Sequence, residues 1–78
     1  MKNNNWIPLD ERLPELDKNV LLLDEWESNE KKYRDVRVGY LSEYTTRKKA
    51  EGFATTCVWE GCEFAFNITH WMELPELP

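Results

Sequence analysis

Residues 19–41, NVLLLDEWESNEKKYRDVRVGYL, contain the pattern that decides the fold. The short apolar run Val20–Leu23 predicts a strand over Asn19–Trp26. The alternation of apolar and polar side chains further on predicts a second strand over Tyr33–Leu41. The hydrophilic residues 25–32 between them predict a turn, so the two strands are expected to form a hairpin with a long tip.

The chain beyond this hairpin contains further strand signals. Phe53–Trp59 is rich in residues that favour strands, Cys62–Phe66 is expected to be a short return strand, and Ile68–Leu74 is expected to be the last strand. The polar segment Ser42–Gly52 predicts a loop, with at most one helical turn. Trp6–Pro14 and the Pro-rich tail are expected to cover the open edges of the sheet.

These signals predict a mainly β protein, with a small α+β arrangement as the alternative. The expected architecture is a small curled antiparallel sheet, or a partly open barrel, of four to five strands. We expect a flexible N-terminus over residues 1–5 and one compact domain over residues 6–78. Such a short chain needs large side chains for its core, and it has four Trp, three Tyr and three Phe. The predicted core residues are Trp6, Leu13, Val20, Leu22, Val38, Tyr40 and Trp59.

Charge and composition narrow the classes of partner. The net charge of −5 and the pI of about 4.8 disfavour nucleic-acid binding, which needs clustered Lys and Arg. The opening residues contain no apolar signal-peptide stretch, and no apolar run reaches the length of a membrane span. Two cysteines do not make a disulfide framework, so the expected compartment is a cytoplasm.

Three short motifs occur in order along the chain. They are Trp6-Ile7-Pro8 with Glu11–Pro14, then Val38–Tyr40, then Thr69–Met72 leading to Leu74-Pro75. Together they resemble a family of short phage and prophage proteins of unknown function, with W-I-P-x-x-E-R-L-P near the start and T-H-W-M-P-L-P near the end. Glu73 stands where that family usually has Pro, which puts the edge of the last strand in doubt. The resemblance implies a mobile-element origin and a bacterial cytoplasm, and it implies no activity.

Arg12, His70 and Trp71 form the candidate ligand site. If the N-terminal segment packs on the last strand, these side chains lie close together, and an Arg fork with an aromatic platform suits a planar or anionic ligand. The alternative is structural, because small domains use most of their aromatic side chains in the core.

Signals for catalysis and for metal binding are sparse. His70 with Asp10 or Glu11 would make an acid–base pair, but the sequence contains no catalytic constellation around it. Cys57, Cys62 and His70 leave a structural zinc site one ligand short, so no metal and no cofactor are predicted.

The leading hypothesis is a phage- or prophage-derived binding protein that sequesters or blocks a host component, with an anti-defence role and without catalysis. Its partner would be a host protein or a small anionic ligand, in the cytoplasm of the bacterial host, with no membrane involved. A protein partner predicts an exposed apolar patch or a free sheet edge. The alternatives are a small-molecule or nucleotide sponge acting as a homo-oligomer, a small hydrolase-like enzyme that uses His70 and a carboxylate, and a structural accessory of the phage.

Overall fold

The protein is a mainly β domain with a single sheet. The computed structural model describes residues 5–63 and 65–75, and within them it contains no helix. The strands are β1 (Ile7–Pro8), β2 (Val20–Ser28), β3 (Lys31–Lys49), β4 (Gly52–Glu60) and β5 (Ile68–Met72). Every pairing is antiparallel, the order is β1-β5-β2-β3-β4, and the sheet curls into a half-barrel. The predicted fold class and strand number are therefore confirmed.

The hairpin of β2 and β3 closes through a tight turn, and the expected long tip is wrong. Ser28 pairs with Lys31, which leaves only two residues in the turn. Asn29 and Glu30 both have positive φ, at 53° and 65°, the conformation that a type I′ turn requires. This turn matches the twist of the flanking strands, so the strands continue through the hydrophilic residues to the tip.

Strand β3 is twice as long as predicted. Residues 31–39 pair with β2 and residues 40–49 pair with β4, so the expected loop over Ser42–Gly52 is wrong. A register shift between Leu41 and Glu43 makes Ser42 an extra residue, which bends β3. Pairing with Phe53–Trp59 holds the polar residues of β3 in a strand conformation. Local sequence patterns cannot detect that pairing, because it depends on a neighbouring strand.

The segment after β4 is not the predicted return strand. Cys62, Glu63, Ala65 and Phe66 have no strand conformation, and position 64 lies outside the described residues. Gly61 has a φ of 83°, and the chain leaves β4 there and passes over Gly39. A Cβ atom at Gly39 would lie 2.7 Å from the carbonyl oxygen of Glu60, so the close approach requires glycine.

The core lies on the concave face of the sheet. Val20 and Leu22 of β2 pack with Ile68 and Trp71 of β5, and Ile7, Leu9, Trp59 and Cys62 pack around them. Trp71 is only 2% exposed, and burying it supplies about 4–6 kcal/mol of hydrophobic transfer free energy. The N-terminal segment reaches this core because β1 pairs with β5, placing Ile7 opposite Trp71.

The predicted core needs one correction. Val38 is 49% exposed, because it alternates with Gly39 and lies on the outer face of the sheet. Val20 and Leu22 are fully buried, whereas Trp6, Leu13, Tyr40 and Trp59 are half-buried. The expected flexibility of residues 1–5 and the end of the Pro-rich tail fall largely on residues 1–4 and 76–78, outside the described part of the chain.

Candidate functional site

A buried carboxylate fixes the loop that precedes β5. The Asp24 side chain is fully buried and accepts hydrogen bonds from the backbone N–H groups of Phe66, at 3.0 Å, and Asn67, at 2.6 Å. Arg37 of β3 donates to the same carboxylate from Nε at 3.1 Å. Burial alone would raise the pKa of Asp24, but these three donors outweigh it and hold the pKa below its ordinary value. Asp24 therefore stays ionised and holds Phe66 in place beside β2.

Three aromatic rings stack at the tip of the β2–β3 hairpin. Trp26 and Tyr33 are cross-strand partners, with ring centroids 5.5 Å apart and planes 15° from parallel. Phe66 stacks on Trp26 at a centroid distance of 4.7 Å, within the range that aromatic pairs prefer. The outer rings are open to solvent, since Tyr33 is 41% and Phe66 67% exposed. We call Trp26, Tyr33 and Phe66 the aromatic stack.

Polar side chains follow the aromatic stack along β2 and β5. Glu25 accepts hydrogen bonds from the Thr69 hydroxyl at 2.7 Å and from Arg34 Nε at 2.8 Å. These two donors, the Thr69 hydroxyl first, hold the pKa of Glu25 below its ordinary value. His70 Nδ1 lies 2.8 Å from the Thr69 hydroxyl and 3.8 Å from Glu25 Oε1. Leu23 pairs with His70 and Asp24 with Ile68, so Thr69 is an extra residue of β5, and this β-bulge allows the neighbours Thr69 and His70 both to reach this cluster.

An open cleft of about 620 Å³ adjoins the aromatic stack. Its lining residues are Glu25, Trp26, Glu27, Lys32, Tyr33, Arg34 and Asn67. The two carboxylates and the two cations balance, and Arg34 is already paired with Glu25. A cleft that has no net charge and an exposed ring surface favours an apolar or aromatic side chain of a partner over a free anion.

The structure brings together only two of the three residues predicted to bind a ligand. The guanidinium of Arg12 lies 5.1 Å from the centroid of the Trp71 ring, and Trp71 Nε1 donates to the Arg12 carbonyl at 2.9 Å. The Trp71 ring is buried under this contact, so it offers no open platform. His70 contacts Thr69 and Glu25 instead, because adjacent residues of a strand point to opposite faces.

The two cysteines lie in separate environments and are both free. Cys62 packs against the core, whereas Cys57 lines a groove with Leu9, Leu13 and Phe53, where burial raises the pKa of its thiol. In the described residues no three His, Cys, Asp or Glu side chains are grouped to hold a metal ion. Nor does any helix in residues 5–63 and 65–75 have the length and apolarity to cross a membrane.

The aromatic stack and the Asp24 anchor were not predicted from the sequence. Once the turn is placed at Asn29-Glu30, the register of the hairpin puts Trp26 opposite Tyr33, so a correct turn assignment would have found that pair. The contact of Phe66 with Trp26 spans 40 residues of sequence and has no local signal.

Fold and site define a small antiparallel half-barrel domain with an exposed aromatic cleft at one end. The chain belongs to the family described as protein of unknown function (DUF551), whose model matches residues 5–78. Comparison with curated proteins and with solved structures gives no significant match.

Proposed function

We propose that this chain is a small binding protein that sequesters or blocks a host protein, and that it holds its partner at the aromatic stack. The proposal includes a phage or prophage origin and a bacterial cytoplasm as its setting, which rest on the resemblance of its motifs, and an anti-defence role, which the motifs do not address. The observation that carries the proposal is the exposure of Tyr33 and Phe66, stacked on Trp26 at the domain surface. A chain this short depends on its large side chains for a core, and rings left in water contribute nothing to that core, whereas interfaces are enriched in such aromatic anchors.

The partner is expected to present an apolar or aromatic side chain to the cleft. The balanced charge of the cleft argues against a small anionic ligand, because Arg34 is paired with Glu25 and Lys32 lies opposite Glu27 in the hairpin. The cleft is also open rather than enclosed, whereas small-molecule sites bury most of their ligand. A sponge would therefore need a second subunit to complete its pocket.

Two tyrosines of β3 provide a matched test. Tyr33 belongs to the aromatic stack and is 41% exposed, whereas Tyr44 lies on the β3–β4 hairpin and is 49% exposed. Tagged wild type, Tyr33→Ala and Tyr44→Ala are used to capture proteins from lysate of a bacterial host, and any captured protein is purified and titrated by calorimetry. We expect Tyr33→Ala to weaken binding at least tenfold, an effect of about 1.4 kcal/mol, and Tyr44→Ala to leave it unchanged. Equal affinities for both variants would refute the assignment of this cleft.

A hydrolase-like enzyme is the second candidate, because Glu25, Thr69 and His70 form a hydrogen-bonded chain. The carboxylate is Glu25 rather than the predicted Asp10 or Glu11. The hydrogen bonds that Glu25 accepts from Thr69 and Arg34 keep its carboxylate ionised, so Glu25 is a poor proton donor and is better explained as a structural residue. Loss of a measured turnover in His70→Ala, with partner binding intact, would favour the enzyme over the binding protein.

A further inference from the structure

Strand β4 is an open edge of the sheet. It is the last strand in the order, and among residues 5–63 and 65–75 it pairs with β3 alone. Lys49 and Gly52 flank a two-residue connection, so they form a hydrogen-bonded pair and the even-numbered residues of β4 bond to β3. The backbone groups of Phe53, Thr55, Cys57 and Trp59 therefore face outward, where a further strand would add.

This edge lacks the charges and prolines that normally prevent strand pairing, and the N-terminal segment faces it only across the open groove that Leu9 and Leu13 line with Phe53 and Cys57. Residues 52–59, GFATTCVW, contain no charge and no proline, in a chain with 10 basic and 15 acidic side chains. Native edge strands are usually protected by lysine, proline or a covering segment. Phe53, which is 74% exposed, and Val58, which is 41% exposed, lie on opposite faces of β4, so each face of this strand presents an apolar side chain to solvent.

We propose that two copies of this chain form a dimer by antiparallel pairing of their β4 strands about a twofold axis at Thr56. Residues that lie opposite each other in an antiparallel pair point to the same face of the sheet. The twofold axis must therefore pass beside a residue that lies opposite the same residue of the other subunit. With Thr56 at the axis, residues 53–59 of one subunit meet residues 59–53 of the other, and Phe53 meets the partner's Trp59. About eight backbone hydrogen bonds join the strands, two from each of four outward-facing pairs.

Charge complementarity favours a second copy over another extended chain. The end of β3 carries Arg47, Lys48 and Lys49 beside Glu51 of the connection, a net charge of +2, whereas Glu60 and Glu63 lie at and just beyond the opposite end of β4. Antiparallel pairing brings the basic end of each subunit beside the acidic end of the other. The partner's Glu60 lies opposite Gly52, one strand away from Lys49. The uncharged centre and oppositely charged ends make this edge complementary to itself.

The cross-strand pair Thr45 and Thr56 gives a matched test of the dimer. Both side chains are exposed on one face of the hairpin, but only Thr56 lies at the proposed axis. Mass is measured by light scattering across about 1 to 100 μM, because dimerisation depends on concentration. We expect a dimer for wild type and Thr45→Lys, and a dimer at least tenfold weaker for Thr56→Lys, where two ammonium groups would meet. Circular dichroism verifies that both variants fold.

A cysteine variant tests the register independently. Thr55→Cys places a thiol opposite the partner's Cys57, so mild oxidation is expected to give a covalent dimer, whereas Thr45→Cys gives none. A wild-type monomer at all concentrations, equal effects of the two lysine variants, or no crosslink from Thr55→Cys would each overturn the proposal. Tyr33→Ala is expected to stay dimeric. The proposal of partner binding at the cleft and the proposal of dimerisation through β4 can therefore be refuted separately.

Discussion

Replacement of Asp24 by Asn is expected to destabilise the domain far more than so small a change in side-chain size suggests. The carboxylate is fully buried and accepts from two backbone N–H groups and one guanidinium. Breaking a buried charged pair costs about 3–5 kcal/mol, and the amide oxygen recovers one hydrogen bond worth about 1 kcal/mol. We expect a loss of about 2–4 kcal/mol at pH 7, against a total stability of roughly 4–12 kcal/mol for a chain of this length.

Urea unfolding followed by tryptophan fluorescence measures this loss, and Asp35 provides the control. The carboxylate of Asp35 lies 3.4 Å from Nη2 of Arg37, the arginine that also contacts Asp24, but its side chain is 54% exposed. We expect Asp35→Asn to cost less than about 1 kcal/mol, because exposed ion pairs contribute little. A loss below about 1 kcal/mol for Asp24→Asn, or equal losses in both variants, would refute the role of Asp24 as the anchor.

Three further predictions concern pH and backbone conformation. The folded pKa of Asp24 lies below its ordinary value of 3.8, so the stabilisation that its carboxylate supplies is present above pH 3.8 and is lost as the pH falls further. Free energies of unfolding measured at a series of acidic pH values should therefore differ less and less between wild type and Asp24→Asn below pH 3.8. Glu30→Gly should raise the free energy of unfolding by about 0.5–1 kcal/mol, measured in urea, because Glu30 has a φ of 65° in the turn; no gain would contradict the type I′ assignment. Gly39→Ala should lower it by about 1–3 kcal/mol, because the added Cβ would lie 2.7 Å from the Glu60 carbonyl oxygen; an unchanged urea midpoint would contradict this close approach.

The sequence predicted the strands whose side chains are locally patterned. The apolar run in β2 and the strand formers of β4 identified both elements within one or two residues at each end. The predictions were wrong where hydrogen bonding to a neighbouring strand overrides the local secondary-structure preference of the residues. Ser42–Lys49 is polar and was expected to be a loop, but β4 pairs with it as a strand.

The candidate site was harder to predict because it depends on contacts between distant segments. Arg12 and Trp71 do meet, as the packing of the N-terminal segment on β5 implied, but their contact closes the core. His70 found a carboxylate in Glu25, 45 residues away in the sequence. Phe66 reaches the aromatic stack only because the buried Asp24 fixes its backbone, and a buried acidic residue beside an apolar run gives no such signal in one sequence.

Photocrosslinking in bacterial host cells tests the central claim most directly, with benzoylphenylalanine placed at position 66 and, as a control, at position 44. Both native side chains are exposed aromatics, Phe66 at 67% and Tyr44 at 49%. Binding at the aromatic stack predicts that position 66 crosslinks to a discrete host protein and that position 44 does not. Identical crosslinks from both positions, or no host protein captured at position 66, would contradict binding at the aromatic stack.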